Sequence, residues 1–236
     1  MPREAPVMIT TLPSNEVIAT QAKGHNISME RLLPLFPLQL VAFPGTAVPL
    51  HIFEERYRQM VGRAETAGTE FGIVLSKDGG VVNAGCTVVV ETVTERYPDG
   101  RFDIIARGRR RFSLLSIDQE ESWIRGEVEY FDDDDLTPSS ADLRLQAMQA
   151  YVAVKAAQGK PPLEEPDPTD EFFSYQLARS VDDLDFQNMV LRSRSETARL
   201  EQFIEFVREY VPRTLYAAKM KELAPRNGSG HKPAEL

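Results

Sequence analysis

The run Cys86-Thr-Val-Val-Val-Glu-Thr-Val-Thr-Glu-Arg-Tyr97 constrains this chain more than any other stretch. It is dense in β-branched residues that alternate partly with polar ones, the pattern of a pleated, half-buried strand. Pro98-Asp99-Gly100 follows, with glycine where a turn needs positive φ. Arg101-Phe-Asp-Ile-Ile-Ala106 then resumes a β pattern, so the two runs read as a hairpin. Phe112–Ile117 and Trp123–Tyr130 supply further strands, the latter with Ile124, Val128 and Tyr130 on one face. One helix interrupts this region: Phe53, Tyr57, Met60, Val61 and Ala64 recur at helical spacing, and Gly68 stops it. Short strands with close turn signals predict a small barrel or sandwich over residues 29–133.

The period changes after Asp132–Asp135. Ala141, Leu145, Met148 and Val152 form a helical stripe, capped by Ser139 or Ser140 and ended by Gly159. Lys160–Pro168 is too rich in proline for a helix and reads as an acidic loop. Phe173 and Leu177 mark a second helix, and Phe186, Met189 and Val190 a third. Ser193-x-x-Glu196 reads as a capping box before the amphipathic stripe Leu200, Phe203, Ile204, Val207 and Val211, which Pro212 should kink or end. Residues 137–223 are therefore expected to form a helical bundle, 1–28 an N-terminal arm and 224–236 a flexible tail. Met29, directly before the first patterned segment, is a candidate start of translation.

Composition removes several function classes. With 36 acidic against 27 basic side chains, net charge −9, the chain is a poor match for nucleic acid or anionic membrane. One cysteine and three histidines cannot furnish a His/Cys metal cluster or an internal disulfide. No segment approaches the length of apolar chain that spans a bilayer, and residues 1–24 lack a signal-peptide core. The chain is expected to be cytoplasmic, with no cofactor and no metal.

Leu33-Pro-Leu-Phe-Pro-Leu38, Phe43-Pro-Gly45 and Pro49-Leu-His-Ile-Phe-Glu-Glu-Arg-Tyr57, in that order, resemble the opening of the substrate-binding (N-terminal) domain of Lon proteases. Phe71–Leu75, Ala84-Gly-Cys86, Asp99-Gly-Arg101, Gly108-x-x-Arg-Phe112 and Arg125-Gly-Glu-Val128 continue the resemblance, as do Gln187, Leu191, Arg199 and Leu200. It implies an α+β fold, a PUA-like pseudo-β-barrel followed by a C-terminal helical bundle. It also implies a stand-alone domain that binds unfolded protein segments, or a protease or other partner protein, in quality control. The sequence has no Gly-x-x-x-x-Gly-Lys-Ser/Thr loop and no serine–lysine peptidase context around Lys77, so no enzyme activity is expected.

The prolines and aromatics of 34–57 either fill the barrel or stay partly exposed to receive a client segment. On the second reading Phe36, Leu38, Phe43, Pro44 and Phe53 are the candidate peptide-contacting side chains. An open sheet edge could add a peptide strand as well. Glu54 sits where a helix N-terminus favours negative charge and is expected to pair with Arg111. The alternative function is RNA binding through the five arginines of Arg101–Arg111. Their acidic neighbours argue against it, and only Tyr97, Phe102 and Phe112 could serve as stacking platforms. Cys86 and His51 read as packed or capping residues, and Asp132–Asp135 as a solvated turn.

Overall fold

The computed structural model describes residues 32–118, 122–159 and 165–223. The arm 1–28, Met29, the loop between 160 and 164 and the tail from 224 lie outside those residues. Six strands form one mixed sheet: β1 (Leu33–Leu38), β2 (Ala47–Ile52), β3 (Phe71–Lys77), β4 (Gly80–Arg96), β5 (Phe102–Asp118) and β6 (Arg125–Phe131). Helix α1 (Glu55–Ala67) lies between β2 and β3, and four helices follow β6: α2 (Ala141–Gln158), α3 (Phe173–Ala178), α4 (Leu184–Arg192) and α5 (Glu196–Leu223).

The strand order is β2-β5-β4-β3-β1-β6, and β6 pairs again with β5. Strand β5 is long enough to serve both partners: Phe102–Arg107 pair with β2, and Arg111–Asp118 with β6. The ladders therefore close into a ring, β1-β3-β4-β5-β6, with β2 as an extra edge strand on β5. This is the expected pseudo-barrel of an α+β fold with a helical C-terminal region. The hairpin turns where the sequence placed it: Tyr97 and Arg101 are bonded at 2.8 Å, and Gly100 adopts φ 85°. β1 is parallel to β3, with Leu35 opposite Gly72. Its prolines are tolerated because each lies beyond the ladder its missing N–H would serve. Leu35 N–H donates to Ile124 of the β6 side at 2.8 Å, which turns Pro37 toward that side past the end of the β1–β6 pairing. Pro34 faces β3 one residue before that ladder begins.

Leu33, Leu35, Val74 and Phe112 form a core cluster, with Val81, Leu114, Ile124 and Val128 packed against it. The Phe112 ring fits over Gly72 and Gly85, because a Cβ on Gly72 would stand 2.8 Å from its tip and one on Gly85 would collide with it. Cys86 is fully buried, and burial pushes its thiol up to about 12, so it packs as a small apolar side chain.

The chain divides into two compact units. One holds the described residues up to Asp134 together with Asp183–Arg194; the other holds Asp135–Asp182 and the chain from Ser195. Helix α4 thus belongs with the barrel, not with the bundle that residues 137–223 were expected to form. The reason is Arg111. Its side chain, 5% exposed, donates to the Leu191 and Ser193 carbonyls at the end of α4 and to Asp133 at 2.6 Å. Lys77 on β3 donates to Asp185 near the start of the same helix.

In the second unit, Ser140 caps α2 through Leu143 N–H and Gly159 ends it at φ 63°. The expected core stripe of α2 is the wrong face: Leu145 and Val152 are 57% and 60% exposed, while Ala147, Tyr151, Val154 and Ala157 are buried. The capping box also shifts. Ser195 caps α5 by accepting from Ala198 N–H, and Ser193 instead closes α4. Glu196 turns inward to Ser174 and Arg199, which is 3% exposed. Pro212 lies inside α5, which continues to Leu223. Arg213 and Thr214 side chains donate to the Glu209 and Tyr210 carbonyls beside it.

Candidate functional site

The expected peptide-contacting residues separate by burial. Phe36 and Phe43 are 5% and 0% exposed, and Pro44 is buried with them. Phe36 packs on Tyr57 with ring centroids 4.2 Å apart. Phe43-Pro-Gly-Thr46 is a turn laid against β5: Gly45 N–H donates to Gly108, Gly108 N–H to Thr46, and the Thr46 hydroxyl to Phe43. Gly108 is needed there, since a Cβ would run into the Phe43 carbonyl oxygen. These three residues therefore build the barrel wall. Leu38 is half-buried, and Phe53 is 59% exposed. Of the five, Phe53 alone is a largely exposed aromatic side chain.

Glu54 and Arg111 do not meet. Glu54 is the N-cap residue of α1 and pairs with Arg56 at 2.9 Å. Arg111 is held by Asp133, as described above, with its guanidinium 4.8 Å over the Phe131 ring. The expected Glu54–Arg111 pair is therefore replaced by two others: Glu54 takes Arg56, two residues along the same motif, and Arg111 takes Asp133.

Around Phe53 the outer face of β2, β5 and β4 carries a polar network that sequence reasoning missed. His51 lies directly opposite Asp103, and Asp103 opposite Glu95. His51 Nδ1 is bonded to the Asp103 carboxylate, whose second oxygen accepts from the Tyr97 hydroxyl at 2.8 Å. The His51 ring also stacks on Phe53, centroids 5.9 Å apart, and meets the Tyr97 ring edge-on at 5.8 Å. The bonds from His51 and then Tyr97 hold the Asp103 carboxyl below the usual carboxylate range. Bonding to Asp103 and Glu95 raises the Tyr97 hydroxyl to about 12. Arg58 of α1 donates to the Asp99 carbonyl at 2.7 Å, which ties the hairpin tip to the helix. The result is a fixed semi-apolar surface, Pro49, Phe53, Ile105 and the His51 and Tyr97 rings, on which every acid is engaged. Only the β2–β5 pairing brings His51 to Asp103, and nothing local in the sequence signals it.

The arginine row is largely neutralised. Arg101 pairs with Asp99, Arg107 with Glu91, Arg110 with Glu70 and Arg111 with Asp133. Arg109 is the one of the five without a carboxylate partner among the described residues. A phosphate backbone would have to displace those carboxylates, which removes most of the attraction it needs. Phe102 and Phe112 are buried, so of the three possible stacking platforms only Tyr97 is accessible. Two open depressions lie on this unit, the smaller of them beside the Arg110–Glu70 pair of the arginine row. One, of about 640 Å³, follows Arg58, Gln59, Gly62 and Arg63 of α1; the other, of about 320 Å³, is lined by Glu70, Val89 and Arg109. Among the described residues no three His, Cys, Asp or Glu side chains are grouped to hold a metal ion. No helix among them is long and apolar enough to cross a membrane.

A closed mixed-sheet barrel with a helical C-terminal region defines the fold class, and comparison with known proteins identifies the family. The profile of the ATP-dependent protease La (LON) substrate-binding domain matches residues 32–213. The chain belongs to that family. The Lon N-terminal domain protein from Xanthomonas campestris is similar in structure, with TM-score 0.59 and 25% identity, over 74% of this chain and 97% of that one. The N-terminal domain of a Mycobacterium avium complex Lon protease shares the fold, with TM-score 0.54 and 15% identity, over 76% of this chain and 99% of the other. In sequence the chain is similar to the Lon protease of Porphyromonas gingivalis, 29% identical over 44% of this chain and 13% of the relative. It is 24% identical to that of Parabacteroides distasonis, over 63% of this chain and 19% of the relative. The match thus spans less than a fifth of either Lon protease's length.

Proposed function

We propose that this protein binds extended or unfolded protein segments without chemical conversion, as an adaptor or regulator in protein quality control. Membership of the substrate-binding domain family supports the class of ligand. The observation that carries the location is Phe53: a large aromatic, 59% exposed, held in place by the stacked His51 ring beside the half-buried Ile105. An exposed aromatic on a rigid sheet end gives apolar contact at low entropic cost and does not demand a particular client sequence. The half-buried Leu38 is the other of the five expected contacts that retains accessible surface.

Fluorescence anisotropy with labelled β-casein, a permanently unfolded protein, tests this reading, with a folded protein of similar size as control. Saturable binding of casein and not of the control is expected, weakened about ten-fold by Phe53→Asp, the order of loss when one apolar anchor is removed. Equal affinity of wild type and Phe53→Asp, with both folded, would remove Phe53 from the site. Absence of binding to casein would overturn the function.

A further inference from the structure

Strand β2 ends the sheet order, and among the described residues it has a strand neighbour, β5, on one side only. Its hydrogen-bonding phase is fixed at its start, where Gly108 N–H donates to the Thr46 carbonyl at 3.0 Å. The register then runs by twos, with Val48 opposite Ala106, Leu50 opposite Ile104 and Ile52 opposite Phe102. In an antiparallel ladder alternate residues bond to the partner strand, so these even-numbered residues direct their backbone groups to β5. Ala47, Pro49 and His51 direct theirs to the opposite edge. No loop or side chain among the described residues bonds to those groups.

Unpaired N–H and C=O groups at alternate positions are a template for another strand. This edge offers carbonyls at Ala47, Pro49 and His51 but N–H groups only at Ala47 and His51, because proline has none. That gap is selective. Two copies of the edge pairing antiparallel about Pro49 would set proline against proline, with no donor between them. A different extended chain forfeits a single bond at that position. The edge therefore disfavours its own copy while remaining open to an unrelated segment. Phe53 follows two residues after His51 and extends the same edge with an exposed aromatic.

We infer that an extended client segment binds by adding as a strand to the free edge of β2, backbone to backbone, with side chains reaching His51 and Phe53. This rests on the binding function proposed above and specifies its mode: an unstructured segment with free amide groups, read through its main chain.

The test uses the full chain and a fluorescein-labelled peptide alternating valine and threonine between terminal lysines. Two further versions carry N-methyl groups on every second amide nitrogen, in one phase or the other. Strand addition predicts that at least one methylated phase binds about ten-fold more weakly, the loss of one or two backbone hydrogen bonds. Pro49→Thr, which restores the missing donor on an exposed strand, should tighten the unmethylated peptide about five-fold and allow concentration-dependent dimers in sedimentation. Equal affinity for all three peptides would overturn strand addition and leave the binding function standing. Failure of every peptide, together with failure of casein to bind, would overturn both.

Discussion

Replacing Arg111 by methionine keeps most of the side-chain volume and removes the guanidinium. Arg111 is 5% exposed, and its partners are the Asp133 carboxylate and the Leu191 and Ser193 carbonyls that end α4. The substitution takes the Arg111 cation away from the largely buried Asp133 carboxylate, and breaking a buried pair costs about 3–5 kcal/mol. It also strips a positive charge from the negative end of a helix dipole, about a further 0.3–1 kcal/mol. Against the roughly 5–15 kcal/mol that stabilises a typical domain, this is a large fraction. Urea unfolding followed by circular dichroism should show the loss. Native-state hydrogen exchange should place it, with α4 amides opening before those of β3 and β4. Asp133→Asn, which keeps an acceptor, should cost less than half as much. A loss below about 1 kcal/mol in Arg111→Met, or unchanged protection of α4, would refute the role given to this arginine.

Other consequences can be checked on the same protein. Gly108→Ala drives a methyl into the Phe43 carbonyl, a backbone atom with little room to yield, and should cost about 3 kcal/mol by thermal or urea unfolding; a neutral result would mean the Phe43–Thr46 turn is not docked as described. The Asp103 carboxyl should titrate by NMR below the ordinary value of about 3.9, and His51→Phe should raise its midpoint. Since its folded value is depressed, the stability it contributes is present above the unfolded value and fades as pH falls through the folded one. An Asp103 midpoint at or above the ordinary value would contradict the network. Cys86, buried with its thiol raised to about 12, should react with a thiol reagent at pH 8 only as fast as the protein unfolds. Prompt stoichiometric labelling of the native protein would disprove its burial.

What the sequence disclosed was mostly local. The Pro98–Gly100 turn, the Gly68 and Gly159 stops and the Ser140 cap depend on a few adjacent residues, and all stand where their chemistry puts them. The ordered motifs of Leu33–Tyr57 disclosed the family, and with it a barrel that periodicity alone could not close. Helix α2 defeats the pattern argument because it is apolar on two sides. Leu145, Met148 and Val152 repeat as well as Ala147, Tyr151 and Val154, and only packing partners decide which stripe is buried. Ser193 and Ser195 compete for one cap in the same way, and the connection from α4 settles it. The site was less visible still. Phe36, Phe43 and Pro44 carry the family motif because they shape the wall, whereas His51 reaches Asp103, and through it the Tyr97 of the hairpin, only by pairing with a strand half a hundred residues away.

The claim that unfolded segments are received at the outer face of β2 and β5 is tested most directly by titrating isotope-labelled protein with β-casein and following its amide resonances. The account predicts perturbations concentrated at Ala47–Phe53, with smaller ones at Tyr97 and Asp103–Arg107. Perturbations confined to the exposed faces of α2 and α5, or none at saturating casein, would contradict it.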